Sequence, residues 1–175
     1  MMPNFLVLAA AALIPLLIGA IWYNPKVFGT AWRNSAGLTE NDLKRGKIAV
    51  IMGLTYVFSF FIAMALLGIT IHQMGVLSTL QGEPGIGEPG NPATDYLSNF
   101  LAQYGDRFRT FKHGALHGTI SGLFLALPIL GVNALFERKG FKYIAINVGF
   151  WVVSLALMGG VICQWGTKTM EVVAP

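Results

Sequence analysis

The chain has 175 residues, of which 54% are hydrophobic and only 11% are charged, and its mean hydropathy is +0.61. Soluble domains carry about 25% charged residues, so this composition excludes an ordinary soluble protein and favours a membrane protein. The net charge of +4 comes from basic residues that flank apolar segments, which is typical of membrane topology signals and not of a nucleic-acid-binding surface.

Four apolar segments are each long enough to cross a bilayer as a helix. A helix rises about 1.5 Å per residue, so roughly 20 residues span a hydrocarbon core of ~30 Å. Pro15 lies inside the first segment and predicts a kink there. The predicted spans are residues 5–23, 48–71, 114–136 and 143–166. The sequence therefore predicts an all-α fold, a polytopic four-transmembrane-helix bundle that forms a single membrane domain over residues 1–175.

Aromatic residues and a capping motif mark the ends of the predicted spans. Tryptophan and tyrosine are enriched at membrane–water interfaces. We therefore interpret four of them as interfacial anchors: Trp22, Tyr23, Trp32 and Trp165. Thr39 followed by Asp42 matches a capping box, which predicts a helix that starts near Glu40 and runs on into the second span.

The long loop over residues 73–112 contains two Gly-Glu-Pro-Gly turns, followed by Asn91 and Pro92. Asparagine before proline is typical of a helix start. The apolar residues that follow share one face up to Tyr104, and Gly105 ends the pattern. We expect a short amphipathic helix that packs on the end of the bundle or lies on the membrane surface. The alternative is a helix that docks a partner protein.

The distribution of basic residues predicts the orientation of the chain. The first and third loops hold eight basic residues, Lys26, Arg33, Lys44, Arg45, Lys47, Arg138, Lys139 and Lys142. The long loop and the C-terminal segment hold the other four, Arg107, Arg109, Lys112 and Lys168. Cytoplasmic loops carry the excess of lysine and arginine. We therefore predict that the first and third loops face the cytoplasm and that both termini and the long loop lie on the outer side of the membrane.

Small residues recur every four positions in the third span, at Gly114, Gly118, Gly122 and Ala126. The fourth span has a shorter series, Gly149, Ala156 and Gly160. Small residues let helix backbones approach closely in lipid, so both stripes predict helix–helix contacts. The spacing leaves open whether the partner helix belongs to the same chain or to another subunit.

Two asparagines lie at matching distances from the turn between spans three and four. Asn133 and Asn147 are each seven residues from Gly140. In an antiparallel pair they reach equal depth, where an unpaired amide is costly. We therefore predict that they hydrogen-bond to each other, directly or through one water. If Asn133 and Asn147 instead line a cavity with Thr119 and Ser121, the pattern favours transport.

Three histidines are the candidate site for bound chemistry. His113 and His117 are four residues apart and share a helix face, and the predicted topology puts His72 on the same side of the membrane. Three imidazoles at one level are able to bind Zn²⁺ or Cu²⁺. We interpret His113 instead as an interfacial residue and His117 as a donor to a neighbouring helix backbone, because no carboxylate or thiol is evident nearby. This interpretation predicts no bound metal and no cofactor.

Two groups of residues resemble a family of small bacterial four-span membrane proteins. The first is Trp22-Tyr23-Asn24-Pro25 with Phe28-Gly29 and Trp32. The second is His117-Gly118, Asn133 and Phe136-Glu137-Arg138. That family is catalogued as a domain of unknown function, so the resemblance implies four spans and no known activity. It also implies a bacterial cytoplasmic (inner) membrane, in which the predicted orientation puts both termini and the long loop on the periplasmic side.

No phosphate-binding loop, nucleophile elbow, zinc-protease helix or paired-cysteine motif is present in the sequence, and no carboxylate lies deep in a span. We therefore expect a protein that is not an enzyme. The leading hypothesis is an assembly protein, with membrane lipid and either further copies of itself or other membrane subunits as partners, and no nucleic acid. The alternatives are a small-solute transporter or channel, and a metal- or cofactor-binding protein that uses the histidines.

Overall fold

The computed structural model describes residues 2–168, and this range is largely helical. The first half contains α1 (Phe5–Ala11), α2 (Ile14–Trp22), α3 (Thr30–Ala36), α4 (Glu40–Arg45) and α5 (Ile48–Thr70). The second half contains α6 (Gln73–Leu80), α7 (Pro92–Tyr104), α8 (Phe111–Ser121), α9 (Leu127–Phe136) and α10 (Phe141–Trp165). Two π-helical segments, Pro25–Gly29 and Gly122–Ala126, and a two-residue β-pair, β1 (Met2–Pro3) with β2 (Thr167–Lys168), complete the described chain.

Four helical stretches are long and apolar enough to cross a membrane. They are Phe5–Trp22, Ile48–Thr70, Phe111–Phe136 and Phe141–Trp165. Many of their large apolar side chains point away from the protein interior, as expected of a surface that meets lipid. The predicted all-α, four-span bundle is confirmed.

Two prolines interrupt regular helix within the spans. Span one is broken between α1 and α2, and Pro15 occupies the first turn of α2, so the predicted kink is confirmed. In span three the π-helical segment Gly122–Ala126 precedes Pro128, which lies in the first turn of α9. Proline has no N–H to donate to the preceding turn, and such sites commonly adopt irregular helical hydrogen bonding.

The loop between spans one and two differs from the prediction. Thr39 and Asp42 form the expected capping box, in which the Asp42 side chain accepts from the Thr39 backbone N–H at 2.9 Å. However, α4 ends at Arg45 and the backbone is extended at Gly46. The predicted continuous helix is therefore wrong. Glycine is a poor helix former, so the chain can leave the helix there and start α5 in a new direction.

Helix α10 forms the centre of the bundle. In its most apolar window 56% of the residues are buried, against 22%, 22% and 17% in the other three spans. Leu155, Met158 and Ile162 of α10 contribute to the main core. Spans one and two supply the rest, with Leu8, Ala11, Ala63, Leu66, Leu67 and Ile71.

The described ends of the chain meet at one end of the bundle. Met2 pairs with Lys168, and the Asn4 backbone N–H donates to the Gly166 carbonyl at 2.8 Å. The end of α5 and the start of α8 lie at this same end, which we call the histidine end. At the opposite end, the hairpin end, Lys139 donates through its Nζ to the Ala36 carbonyl and joins the first and third loops.

Candidate metal centre

Three histidines from two separate spans meet at the histidine end. His72 follows the last turn of α5 and occupies the N-cap position of α6. His113 and His117 lie one turn apart on α8, whose first turn is capped by the Thr110 hydroxyl, which accepts from the His113 backbone N–H at 3.2 Å. The cap fixes where α8 begins and therefore which way its two histidines point.

The three imidazoles are close enough to share one ion. The Nε2 atoms of His72 and His113 are 3.0 Å apart. The His117 ring centroid lies 4.8 Å from that of His72 and 4.5 Å from that of His113. If each histidine offers one nitrogen, these three nitrogens all lie within 4.8 Å of one another.

This spacing is compatible with tetrahedral coordination. Zinc binds histidine nitrogen at about 2.0–2.1 Å, so two such ligands of one tetrahedral ion are roughly 3.3 Å apart. The 3.0 Å separation of His72 and His113 is therefore within a few tenths of an ångström of the requirement. The largest separation among the three nitrogens is at most 4.8 Å, so His117 has to move closer by up to about 1.5 Å. No cysteine or acid joins the cluster within residues 2–168. Three protein ligands leave one coordination position open.

The segment between α7 and α8 is held against the cluster by its aromatic and backbone groups. The Phe108 ring stacks on His113, with centroids 5.1 Å apart and an interplanar angle of 17°. Phe108 has a positive φ of 63°, which is a costly conformation for a phenylalanine. Its carbonyl accepts from the Thr110 backbone N–H at 2.9 Å and from the Cys163 thiol at 3.4 Å. These contacts keep the ring over His113.

Two further side chains tie this segment to the spans. Buried Gln73 donates from Nε2 to the carbonyls of Tyr104 at 2.7 Å and Arg107 at 2.8 Å. Arg109 donates from Nε to the Cys163 carbonyl at 2.6 Å. Partial burial lowers the pKa of Arg109, although Cys163 and Asp106 oppose this change. The segment is therefore anchored to both α6 and α10.

A cavity of about 420 Å³ adjoins the histidines. His72 belongs both to the cluster and to the cavity wall, and Phe108 lies between His113 and the cavity. The wall consists of His72, Gln73, Val76, Phe100, Tyr104, Arg107 and Phe108. His72 is exposed, while His113 and His117 are partly buried, so the cluster is accessible through His72.

The structure changes the interpretation of the histidines. We expected the His117 ring to donate to a neighbouring helix backbone, but no such bond occurs in the described part of the chain. Instead the His117 carbonyl accepts from the Ser121 hydroxyl at 2.9 Å, and its ring faces the other two histidines. The sequence could not reveal this arrangement because the position of His72 depends on how α5 packs against α8.

The glycine stripe of span three packs against α10 of the same chain. A methyl group at Gly114 would overlap the Gly159 carbonyl, one at Gly118 would overlap the Leu155 carbonyl, and one at Gly122 would meet Val152. Ala126, the last residue of the stripe, instead borders an apolar pocket between spans two, three and four. The partner helix that the sequence left undecided is α10.

Small residues of α10 accommodate large side chains from other elements. Gly149 leaves room for the Trp22 ring and Gly160 for the Phe111 ring, while Ala156 lies beside Gly118. Trp22 also donates from Nε1 to the Ile146 carbonyl at 3.0 Å. Besides any contact with the membrane interface, Trp22 therefore joins span one to span four.

The other aromatic residues that we interpreted as anchors differ in their surroundings. The Tyr23 ring packs against Trp32 and Phe150, with centroids 5.2 and 5.3 Å away. Both Tyr23 and Trp32 are partly buried at the hairpin end. Trp165 is the last residue of α10 and is 51% exposed. Of the four residues, Trp165 has the exposure expected of an interfacial anchor.

The predicted direct hydrogen bond between Asn133 and Asn147 is wrong. Asn147 accepts from the Tyr23 hydroxyl at 2.9 Å and donates to the Tyr143 carbonyl at 2.7 Å. Asn133 is exposed, and it borders a pocket of about 150 Å³ together with Asn147 and Glu137. The prediction considered only the neighbouring span, whereas Tyr23 of span one lies closer to the Asn147 amide.

Thr119 and Ser121 do not share a cavity with the asparagines in the part of the chain that the structure describes. Their hydroxyls donate to backbone carbonyls one turn earlier, at Ala115 and His117, each at 2.9 Å. Ser121 borders the apolar pocket that Ala126 also lines. The arrangement that we expected of a transport path is therefore not formed by these four residues.

Sequence reasoning also missed several residues around the histidines. Gln73, Arg107 and Phe108 were not singled out, although Gln73 and Arg107 are polar residues close in sequence to the ends of spans two and three. That proximity is the signal that could have identified Gln73 and Arg107. Phe108 carries no such signal, because its role depends on a positive φ that nothing in its local sequence predicts.

Comparison with known proteins identifies a family but no function. No curated protein and no solved structure matches this chain. A family model described as "Protein of unknown function (DUF1761)" matches residues 6–163, which include the three histidines and all but the outermost residues of the four spans. The resemblance inferred from the aromatic and histidine motifs agrees with this match. The chain therefore belongs to the DUF1761 family.

Proposed function

We propose that this membrane protein binds one divalent first-row transition metal ion through His72, His113 and His117. The observation that carries the proposal is the convergence of three imidazoles, with their ligand nitrogens within 4.8 Å. Imidazole ligands suit zinc, copper, iron and nickel. Copper binds such sites most tightly among these divalent ions, and zinc is the ion that most often takes three histidines in a tetrahedral site. Zn²⁺ and Cu²⁺ are therefore the ions to test first.

The proposed role is binding and not catalysis. Neither the histidine cluster nor the described wall of the cavity contains an aspartate or glutamate that could act as a general base beside the metal. The proposal also assigns the site to a monomer, because all three ligands come from one chain. We propose that lipid covers the exposed apolar faces. The small-residue stripes contact other helices of the same chain, so they do not indicate a second subunit.

The test is metal titration of the full chain purified in detergent, with the bound metal measured by mass spectrometry. We expect about one equivalent of Zn²⁺ or Cu²⁺. Replacing a residue that only hydrogen-bonds to a metal ligand lowers metal affinity by about 10- to 100-fold. Replacing a ligand itself should cost at least as much, so we expect at least this loss in His72→Ala and in the His113→Ala/His117→Ala double variant. Asn99→Ala, at an exposed position on α7, is the matched control and should bind normally.

Absence of stoichiometric metal in the wild-type protein would contradict the proposal. Retention of full affinity in both histidine variants would contradict it equally, because the metal would then be bound elsewhere. Circular dichroism of each variant checks that the helices remain folded. His72 is exposed beyond the end of α5, so we expect His72→Ala to fold normally.

A further inference from the structure

The cavity beside the histidines has a chemical character that the metal site alone does not explain. Its volume of about 420 Å³ lies within the range of small-molecule sites, which is about 300–1,000 Å³. Phe100, Tyr104 and Phe108 contribute aromatic walls, and Val76 adds an aliphatic one. Such a wall favours a ligand with an apolar body.

The cavity also carries a fixed positive charge. Arg107 is the one residue with a formal charge in the described wall, and none of these wall residues is acidic. The Arg107 guanidinium carbon lies 5.2 Å from the Phe108 ring centroid and 5.7 Å from that of Tyr104. Gln73 holds the backbone carbonyls of Arg107 and Tyr104, so the base of the arginine is anchored. A guanidinium held this way is suited to paired hydrogen bonds with a carboxylate.

His72 belongs to both the cavity wall and the histidine cluster, so a single ligand in the cavity is able to reach both. Three histidines leave one coordination position of a tetrahedral ion for a non-protein ligand. We propose that a small carboxylate with an apolar body supplies this ligand. One oxygen of the carboxylate contacts the metal and the other contacts Arg107, while the apolar body lies against the aromatic wall. This inference rests on the metal site proposed above and names the class of ligand that the site takes.

The experiment uses Co²⁺ as the metal and benzoate as the probe, with the full chain in detergent micelles. The visible absorption of Co²⁺ reports its coordination, and calorimetry reports benzoate binding. We expect benzoate to change the cobalt spectrum and to bind more weakly when metal is omitted. Benzamide, a neutral molecule of nearly the same shape, should do neither.

A pair of arginine variants tests the role of the cavity. Loss of a charge-assisted hydrogen bond corresponds to roughly a tenfold or greater loss of affinity. Arg107→Gln should therefore weaken benzoate binding by about tenfold while Co²⁺ binds as in the wild type. Arg45→Gln, at an exposed position at the hairpin end, removes the same charge away from the cavity and should leave both measurements unchanged.

The outcomes distinguish the two proposals. If Co²⁺ binds and benzoate leaves the spectrum unchanged, the carboxylate inference is overturned and the metal site remains. An Arg107→Gln variant with normal metal and benzoate affinity also overturns it, because the cavity then plays no part. If no Co²⁺, Zn²⁺ or Cu²⁺ binds, the proposed function and the inference both fail.

Discussion

The Tyr23 hydroxyl forms one of the few side-chain hydrogen bonds between spans in the described chain. It donates to the Asn147 amide oxygen at 2.9 Å, while the Asn147 amide nitrogen donates to the Tyr143 carbonyl. Both partners are partly buried. A polar amide among apolar helices needs hydrogen-bond partners. The Tyr23 hydroxyl is the partner of the Asn147 amide oxygen, and the Tyr143 carbonyl is the partner of its amide nitrogen.

Replacement of Tyr23 by phenylalanine tests this bond. Tyr23→Phe keeps the ring against Trp32 and Phe150 but removes the donor to Asn147. Hydrogen bonds between membrane helices contribute about 0.6 kcal/mol on average and at most ~1.7 kcal/mol, so we expect a loss of that size in the free energy of unfolding in detergent. Tyr96→Phe, at a position that is 60% exposed on α7, is the control. Equal stability of the two variants would exclude a structural role for the Tyr23 hydroxyl.

At the scale of elements, the contact between α8 and α10 dominates the packing. Gly114 and Gly118 face the carbonyls of Gly159 and Leu155 without an intervening side chain. Close approach of backbones maximises van der Waals contact where lipid offers no hydrophobic driving force. The same contact positions His113 and His117, because they share α8 with the glycines.

Substitution of Gly118 by alanine measures this contact. The added methyl group of Gly118→Ala would overlap the Leu155 carbonyl, and overpacking of this kind costs about 1–3 kcal/mol in unfolding free energy. Gly131→Ala on α9 is the matched control, because a methyl there meets no atom of the described chain within 4 Å. Alanine favours helix over glycine by up to about 1 kcal/mol, so the control should be as stable as the wild type or more stable. Thermal unfolding in detergent gives both values, and equal midpoints for the two variants would contradict the prediction.

At the scale of the whole molecule, the two ends of the bundle differ in charge. The hairpin end carries the eight basic residues of the first and third loops, and the histidine end carries the other four. Cytoplasmic loops are the more basic ones, so we propose that the hairpin end faces the cytoplasm of a bacterial cell. The histidine cluster and both described ends of the chain then face the periplasm, where the cluster would meet metal ions and carboxylates from outside the cell.

Reporter fusions test this orientation. A reporter fused after Lys168 should give periplasmic activity, and one inserted at Lys139 should give cytoplasmic activity. Two reporters are fused at each position: an enzyme that is active only in the periplasm and a fluorescent protein that is fluorescent only in the cytoplasm. Each position is then assigned to one side of the membrane by two independent signals. Opposite readings at both sites would reverse the proposed orientation and put the histidines on the cytoplasmic side.

The sequence by itself determined the four spans, the kink at Pro15, the capping box at Thr39 and the start of α7 at Asn91. Each depends on local composition or on neighbours within a few residues, so the linear pattern contains the information. It also identified the three histidines as a candidate set, since His113 and His117 are one helical turn apart. The break at Gly46 was missed because the capping signal predicts where a helix starts and not where it ends.

Only the tertiary structure decided which groups meet across the bundle. His72 and His113 are 41 residues apart in the chain, yet their Nε2 atoms are 3.0 Å apart. Asn147 pairs with Tyr23, which is 124 residues away, and not with Asn133. Such pairings depend on the rotation of each helix about its axis, and that rotation depends on close packing such as that of Gly118 against Leu155. Lipid-facing and protein-facing positions are equally apolar in these spans, so hydrophobicity alone does not reveal the rotation.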